Sequence, residues 1–252
     1  MRIFKIILTT GLLLVGQAEA VTLADATQSA AVRVEINNTT YPFDTKPRLA
    51  TVLAPVALQQ NWYWPGSRLY RLNSSEPEQL RTLVLQQIED LKQSAKPALQ
   101  SELAAVQLQI KSWQLAKRIL IPIDYDLARA QAPFNPLFDA GDYKLQLVER
   151  PDQVLFWGAI PAPVTLPHKG AVAVGDYLSD IARTTSADKS TVFVINPDGS
   201  MLEVGVGAWN WQHTEVMPGG QVFIPFASSW FSADMKQLNE NLLALALHRV
   251  EQ

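Results

Sequence analysis

Between Val154 and Phe226, short apolar runs and one helix-like stretch follow each other with turn residues at each junction. The run at residues 154–157 breaks at Gly158, and a second run occupies residues 163–166. Residues 174–182 read as a helix, with Gly175 and Asp176 at its entry. Strand-like residues 191–195 and 200–206 flank Asn196-Pro197-Asp198-Gly199, a turn sequence. Pro218-Gly219-Gly220 then leads into a last apolar run, residues 221–224. Hairpin, helix, hairpin, loop and closing strand form the order of a β-grasp unit, so the segment constrains the chain to an α+β fold.

The first half repeats this order with a piece inserted. Residues 31–36 alternate as a strand, residues 37–40 turn, and Tyr41-Pro42-Phe43 continues. Residues 48–60 are helix-compatible, although Pro55 must start or break any helix there. Residues 61–71 contain Trp62-Tyr63-Trp64-Pro65-Gly66, and residues 118–124 read as a strand. Ala140-Gly141-Asp142-Tyr143 turns into a closing strand at residues 144–148, an echo of the Pro218 turn.

The inserted piece is helical. Ser74 and Ser75 with Glu76-Pro77 open a first helix that carries Leu80, Val84, Ile88 and Leu91 on one face. Lys96-Pro97 opens a second, in which Leu99, Leu103, Val106, Ile110 and Trp113 form a narrow seam. The short link at residues 93–96 makes the pair an antiparallel hairpin, expected to stiffen its domain. A last amphipathic helix spans residues 232–250, capped by Ser232 and preceded by Trp230 and Phe231. Its apolar face carries Met235, Leu238, Leu242 and Leu245. Such a helix docks on its own domain, on a partner helix or on a membrane surface.

The N-terminus has the three parts of a secretory signal. Arg2 and Lys5 supply positive charge, residues 6–15 an apolar core too short to span a bilayer, and Ala18-Glu19-Ala20 a cleavage site. The expected cleavage after Ala20 places the mature protein in the periplasm, soluble or peripheral. The chain has no cysteine and a formal net charge of −3. Disulfides, thiolate metal sites and cysteine nucleophiles are therefore excluded. No basic stripe suits nucleic acid. The expected divisions are residues 1–20 for the signal, 21–150 for the first β-grasp domain with a hairpin at about 75–117, 151–228 for the second, and 229–252 for the final helix.

Taken together, the Trp62-Tyr63-Trp64-Pro65-Gly66 run, Gly141-Asp142-Tyr143 with Arg150-Pro151, Gly158-Ala159, the Asn196 turn, Ala208-Trp209-Asn210 and Pro218-Gly219-Gly220 resemble the capsule-biosynthesis GfcC family. The resemblance covers roughly residues 32–250. It implies two tandem β-grasp, SLBB-like domains with a hairpin inserted in the first, related to the periplasmic domains of outer-membrane polysaccharide export proteins. It implies as partners a polysaccharide or lipid-linked oligosaccharide and the export protein. It also implies a basic residue in a pocket of the first domain, by position Arg118, next to Lys117.

The residues themselves offer no catalytic constellation. His168, His213 and His248 are scattered without ligand spacing, which places them on surfaces. No nucleophile elbow or phosphate loop occurs, and no cofactor is implied. Asp124 and Asp126 would share a face on a strand, and paired carboxylates can hydrolyse glycosides. The same residues equally suit the polar loop that a strand end opens, which leaves an enzyme using Arg118 with Asp124 or Asp126 as the alternative reading and not the main one. Arg118 presents a planar fork of donors that fits carboxylates and phosphates, or else sits solvated at a helix C-terminus. Trp62, Trp64 and Trp157 suit core packing, whereas Trp209 and Trp211 fall in a loop-like stretch. Arg118, Trp209, Trp211 and Tyr63 form the candidate glycan-binding set. The function expected is a non-catalytic accessory role in capsule or exopolysaccharide assembly or export. A pure scaffold, docking through the hairpin or the last helix, is the other alternative.

Overall fold

The structure is a computed structural model that describes residues 31–228 and 233–250. The signal segment with its Ala20 site, and Trp230, Phe231 and the expected cap Ser232, lie outside the described residues.

The first sheet begins with β1 (Val32–Ile36) and β2 (Thr39–Phe43). Asn37 and Asn38 adopt φ of 43° and 73°, so a two-residue turn of primed type joins the strands, tighter than residues 37–40 implied. Helix α1 (Leu49–Leu53) covers one face and ends before Pro55, which has no N–H to continue it. Strands β3 (Arg68–Arg71), β4 (Lys117–Ile119) and β5 (Gly141–Gln146) complete an order β2-β1-β5-β3-β4, with β1 parallel to β5. Alternate residues of β1 are buried, and Val32, Val34 and Ile36 pack with Leu49, Val52 and Leu53 of α1.

The second sheet repeats the pattern. Strands β6 (Gln153–Gly158), β7 (Val164–Pro167), β8 (Thr191–Ile195), β9 (Met201–Gly205) and β10 (Gln221–Ile224) lie in the order β7-β6-β10-β8-β9, with β6 parallel to β10. In each sheet the closing strand inserts between the first strand and the third. Every residue of β10 is buried, so both faces of this sheet are covered. Phe156 faces Tyr177 of the short helix between β7 and β8, with ring centroids 5.6 Å apart. Trp157 and Phe223 face the other way, and Trp113 meets Trp157 edge-on at 5.3 Å. At Gly158 the φ is +109°, and a Cβ there would lie 2.3 Å from the Ile224 carbonyl oxygen. Glycine alone lets β6 and β10 approach this closely.

Trp113 follows the helical hairpin, α2 (Glu76–Ser94) and α3 (Pro97–Lys111), which lies between β3 and β4 in the chain. Pro77 and Pro97 occupy first-turn positions where no N–H is missed. Ser75 precedes α2 without capping it through its hydroxyl. The hairpin does not fill the first sheet's core. Val84, Ile88, Leu103, Val106 and Ile110 join the core of the second sheet. Fully burying side chains of this size contributes about 1.5–3 kcal/mol each.

The helix expected at residues 174–182 is brief: helix proper spans Val174–Tyr177, and a tighter turn, Leu178–Asp180, ends it. The final helix, Ala233–Leu247, buries Met235, Leu238, Leu242 and Leu245 in the same core. It also meets α2, where Asn241 Nδ2 donates to Gln87 Oε1 at 2.9 Å. Its apolar face is therefore occupied by its own chain. The tail then runs back along residues 114–116: the Ala116 N–H donates to the His248 carbonyl at 3.0 Å, and the Val250 N–H to the Gln114 carbonyl at 2.9 Å. Among the described residues no helix is long and apolar enough to cross a membrane.

Candidate functional site

Arg118 lies on β4, half-buried, opposite Tyr70 of β3. Its guanidinium sits 5.6 Å from the Tyr70 ring centroid and donates to the Pro197 carbonyl at 2.7 Å. Pro197 belongs to the turn between β8 and β9, so Arg118 clasps the second sheet to the first. The space beside it, shared with Arg68, Asn196 and Arg249, is about 10 Å³, room for about one water and not for a sugar. The backbone N–H of Arg118 donates to His248 Nδ1 at 3.1 Å. His248 is thus a half-buried acceptor rather than a surface residue. Burial holds its imidazole below the usual range, against the pull of the Glu76 carboxylate and with Lys117 adding to the burial effect.

The turn that Arg118 holds forms one wall of a groove of about 480 Å³, within the range of small-ligand sites. Asp198, Gly199 and Ser200 line that wall. Trp64, Pro65 and Ser67 line another, and residues 120–124 with Leu127 complete it. Gly199 has φ +92°, a backbone conformation that favours glycine, and it packs against Leu120 Cδ2. Asp198 Oδ1 accepts from the Ser200 N–H and Oγ at 2.9 and 2.7 Å, which fixes the turn. Leu120 is 55% exposed and Leu127 37%, which leaves apolar surface open along the groove.

Two expectations about this region are corrected. The strand expected through residue 124 stops at Ile119, and Asp124 caps a helix, α4 (Tyr125–Ala130), by accepting from the Leu127 N–H at 2.9 Å. Asp126 lies in the first turn of that helix. The two carboxylates therefore do not alternate along a strand face. Trp64–Gly66 is a single tight helical turn that follows Trp62 and Tyr63. Trp62 and Trp64 pack against the first core, and Trp62 Nε1 donates to the Val56 carbonyl at 2.9 Å. Trp157 is fully buried, as its motif implied.

Tyr63 lies next to Trp64 but does not line the groove. The Arg150 guanidinium is 5.8 Å from its ring centroid. Burial raises its phenol above the usual range, Arg150 opposes this, and the charge of Asp198 reinforces it. Trp209 and Trp211 also sit outside the groove. Their loop is rigidly built: Asn210 Oδ1 accepts from the Gly207 N–H at 2.9 Å, and Nδ2 donates to the Ser190 carbonyl at 3.0 Å. Trp209 is 82% exposed at its tip, while Trp211 lies over Gly175. None of the four candidate residues thus lines the groove: Arg118 backs its Asp198 wall through Pro197, Tyr63 adjoins Trp64, and the two loop tryptophans lie elsewhere. Leu120 and Ser200 were expected only as strand residues, and Asp198 only as part of the turn-forming tetrapeptide at residues 196–199. Among the described residues no cluster of histidine or carboxylate side chains is placed to hold a metal ion.

Comparison with known proteins matches both halves. The family model described as capsule biosynthesis GfcC, N-terminal, matches residues 26–150, and the one described as capsule biosynthesis GfcC C-terminal matches residues 162–251. An uncharacterized protein, YjbG of Escherichia coli (strain K12), is 29% identical over 197 residues, covering 76% of this chain and 78% of that protein. The chain belongs to the capsule biosynthesis GfcC family.

Proposed function

We propose that this protein is a periplasmic accessory factor of capsule or exopolysaccharide assembly or export, and that it binds glycan without catalysis. Its two sheets are read as β-grasp, SLBB-like units, with the hairpin inserted in the first between β3 and β4. The observation that carries the binding reading is the groove between Trp64 and the Asp198 turn, walled by residues of both units. Aromatic and proline rings suit the C–H faces of a sugar, and carboxylate and hydroxyl groups suit its hydroxyls. Arg118 acts in this reading as a positioning residue, because its guanidinium holds the Pro197 carbonyl beneath the groove wall.

The geometry favours binding over hydrolysis by Arg118 with Asp124 or Asp126. Arg118 is engaged by Pro197 and Tyr70, and Asp124 by its capping bond. The test is calorimetric titration of the purified protein with surface polysaccharide from the producing bacterium. Saturable binding, weakened about tenfold in Trp64→Ala, is expected for loss of one ring contact and the area it buries. Absence of binding, or binding indifferent to Trp64→Ala, overturns the reading.

A further inference from the structure

We propose that a second groove, beside the C-terminal tail, binds an uncharged, hydroxyl-rich carbohydrate segment. This rests on the glycan-binding reading above and adds to it a site of different chemistry. The groove measures about 730 Å³, ample for such a ligand. Gln109 of α3, Gln114 beyond it, Gln153 of β6 and Gln221 of β10 converge on it from separate parts of the chain. A primary amide both donates and accepts, and so does a sugar hydroxyl, so an amide wall pairs with hydroxyls in either orientation.

Among the described residues no carboxylate lines this groove, and the charged residue that does is Arg249. The Arg249 guanidinium lies 5.5 Å from the Trp113 ring centroid, and its carbonyl accepts from Tyr70 Oη at 2.9 Å. Trp113 is itself wedged edge-on against Trp157. The wall is thus rigid, which lowers the ordering cost of binding. A polyanionic chain is held by several cations together, and among the described residues this groove offers one. Grooves that read peptides take alternate side chains into apolar pockets, whereas amides and hydroxyls dominate here.

The test uses polysaccharide fragments from the producing bacterium, separated by anion exchange into neutral and acidic pools, with a tryptic casein digest as the peptide probe. Each is titrated into isotope-labelled protein and followed by NMR. The neutral pool is expected to shift the Trp113 indole and the Gln114 and Gln153 side-chain amides. Gln114→Ala with Gln153→Ala is expected to weaken that response about tenfold at unchanged melting temperature, since both side chains are exposed. Shifts confined to the Trp64 groove overturn this inference and leave the proposed function standing. Shifts here from the acidic pool alone, or from peptides alone, also overturn it. No shift from either saccharide pool overturns both.

Discussion

Tyr70 Oη donates to the carbonyl of Arg249 at 2.9 Å, joining β3 of the first sheet to the tail that follows the final helix. The phenol is fully buried, so the bond ties residues 179 positions apart inside the protein. The same ring carries the Arg118 guanidinium on its face. One side chain therefore organises the seam where β4, the C-terminal tail and the Pro197 turn meet.

Tyr70→Phe keeps the ring and removes this donor. The Arg249 carbonyl then loses a partner in a poorly hydrated seam, at a cost of about 1–2 kcal/mol. For a chain of this length, that corresponds to a fall in melting temperature of a few degrees. Calorimetric unfolding checks it; a variant as stable as the parent shows that water replaces the phenol without loss.

Arg118→Ala removes both the stack on Tyr70 and the bond to Pro197. A loss of about 1–3 kcal/mol is expected, because a hydrogen bond from a charged group is stronger than a neutral one. Arg118→Lys should recover little of it, since a lysine ammonium lacks the planar fork. Denaturant unfolding of the two variants decides the matter. Full recovery in the lysine variant would mean that charge, not geometry, holds the turn.

The residues that announced their structure are those whose local pattern and tertiary packing agree. The alternation of Val32, Val34 and Ile36 and the seam from Leu103 to Ile110 each gave the right element, because one buried face requires that spacing. What the pattern could not carry was the partner. A stripe on α2 says that an apolar surface exists and not which core receives it, so the hairpin read as a stiffener of the first domain packs in the second core. Arg118 was singled out only by what the family resemblance implied, since its own pattern equally suits a solvated helix end. Its engagement with Pro197 depends on a contact between residues 79 apart in the chain. The error over Asp124 has a local cause: the side chain read as ending a strand instead accepts the Leu127 N–H in the first turn of a helix.

His248 gives the seam a dependence on pH. Its Nδ1 accepts the Arg118 N–H, so the neutral imidazole carries its proton on Nε2. Glu76, Lys117 and Arg118 surround it, and burial lowers its folded-state value below the ordinary 6.5. Between those two values the unfolded chain takes up a proton that the folded chain does not. The contribution is therefore fully present above about pH 6.5 and is lost as pH falls. Unfolding by denaturant at stepped pH should show a steeper acid-side loss in the parent than in His248→Asn; parallel curves would assign the acid sensitivity to other groups.

Ile88 tests where the hairpin belongs. It is encoded between β3 and β4 of the first sheet, yet it is fully buried in a core shared with Trp157, Phe223 and Leu242 of the second half. Ile88→Ala is expected to destabilise by about 2–5 kcal/mol, the usual range for a cavity of this origin. The location of the damage is the sharper readout. Native-state hydrogen exchange should lose protection in β6, β8 and β10, because the cavity opens against their packed face, while amides of β1 and β5 keep theirs. Protection lost first in β1 and β5 would place the hairpin energetically with the first sheet, and the shared core would then be contact without coupling. Leu108→Ser, at a side chain 73% exposed on the same hairpin, supplies the control and should move neither set.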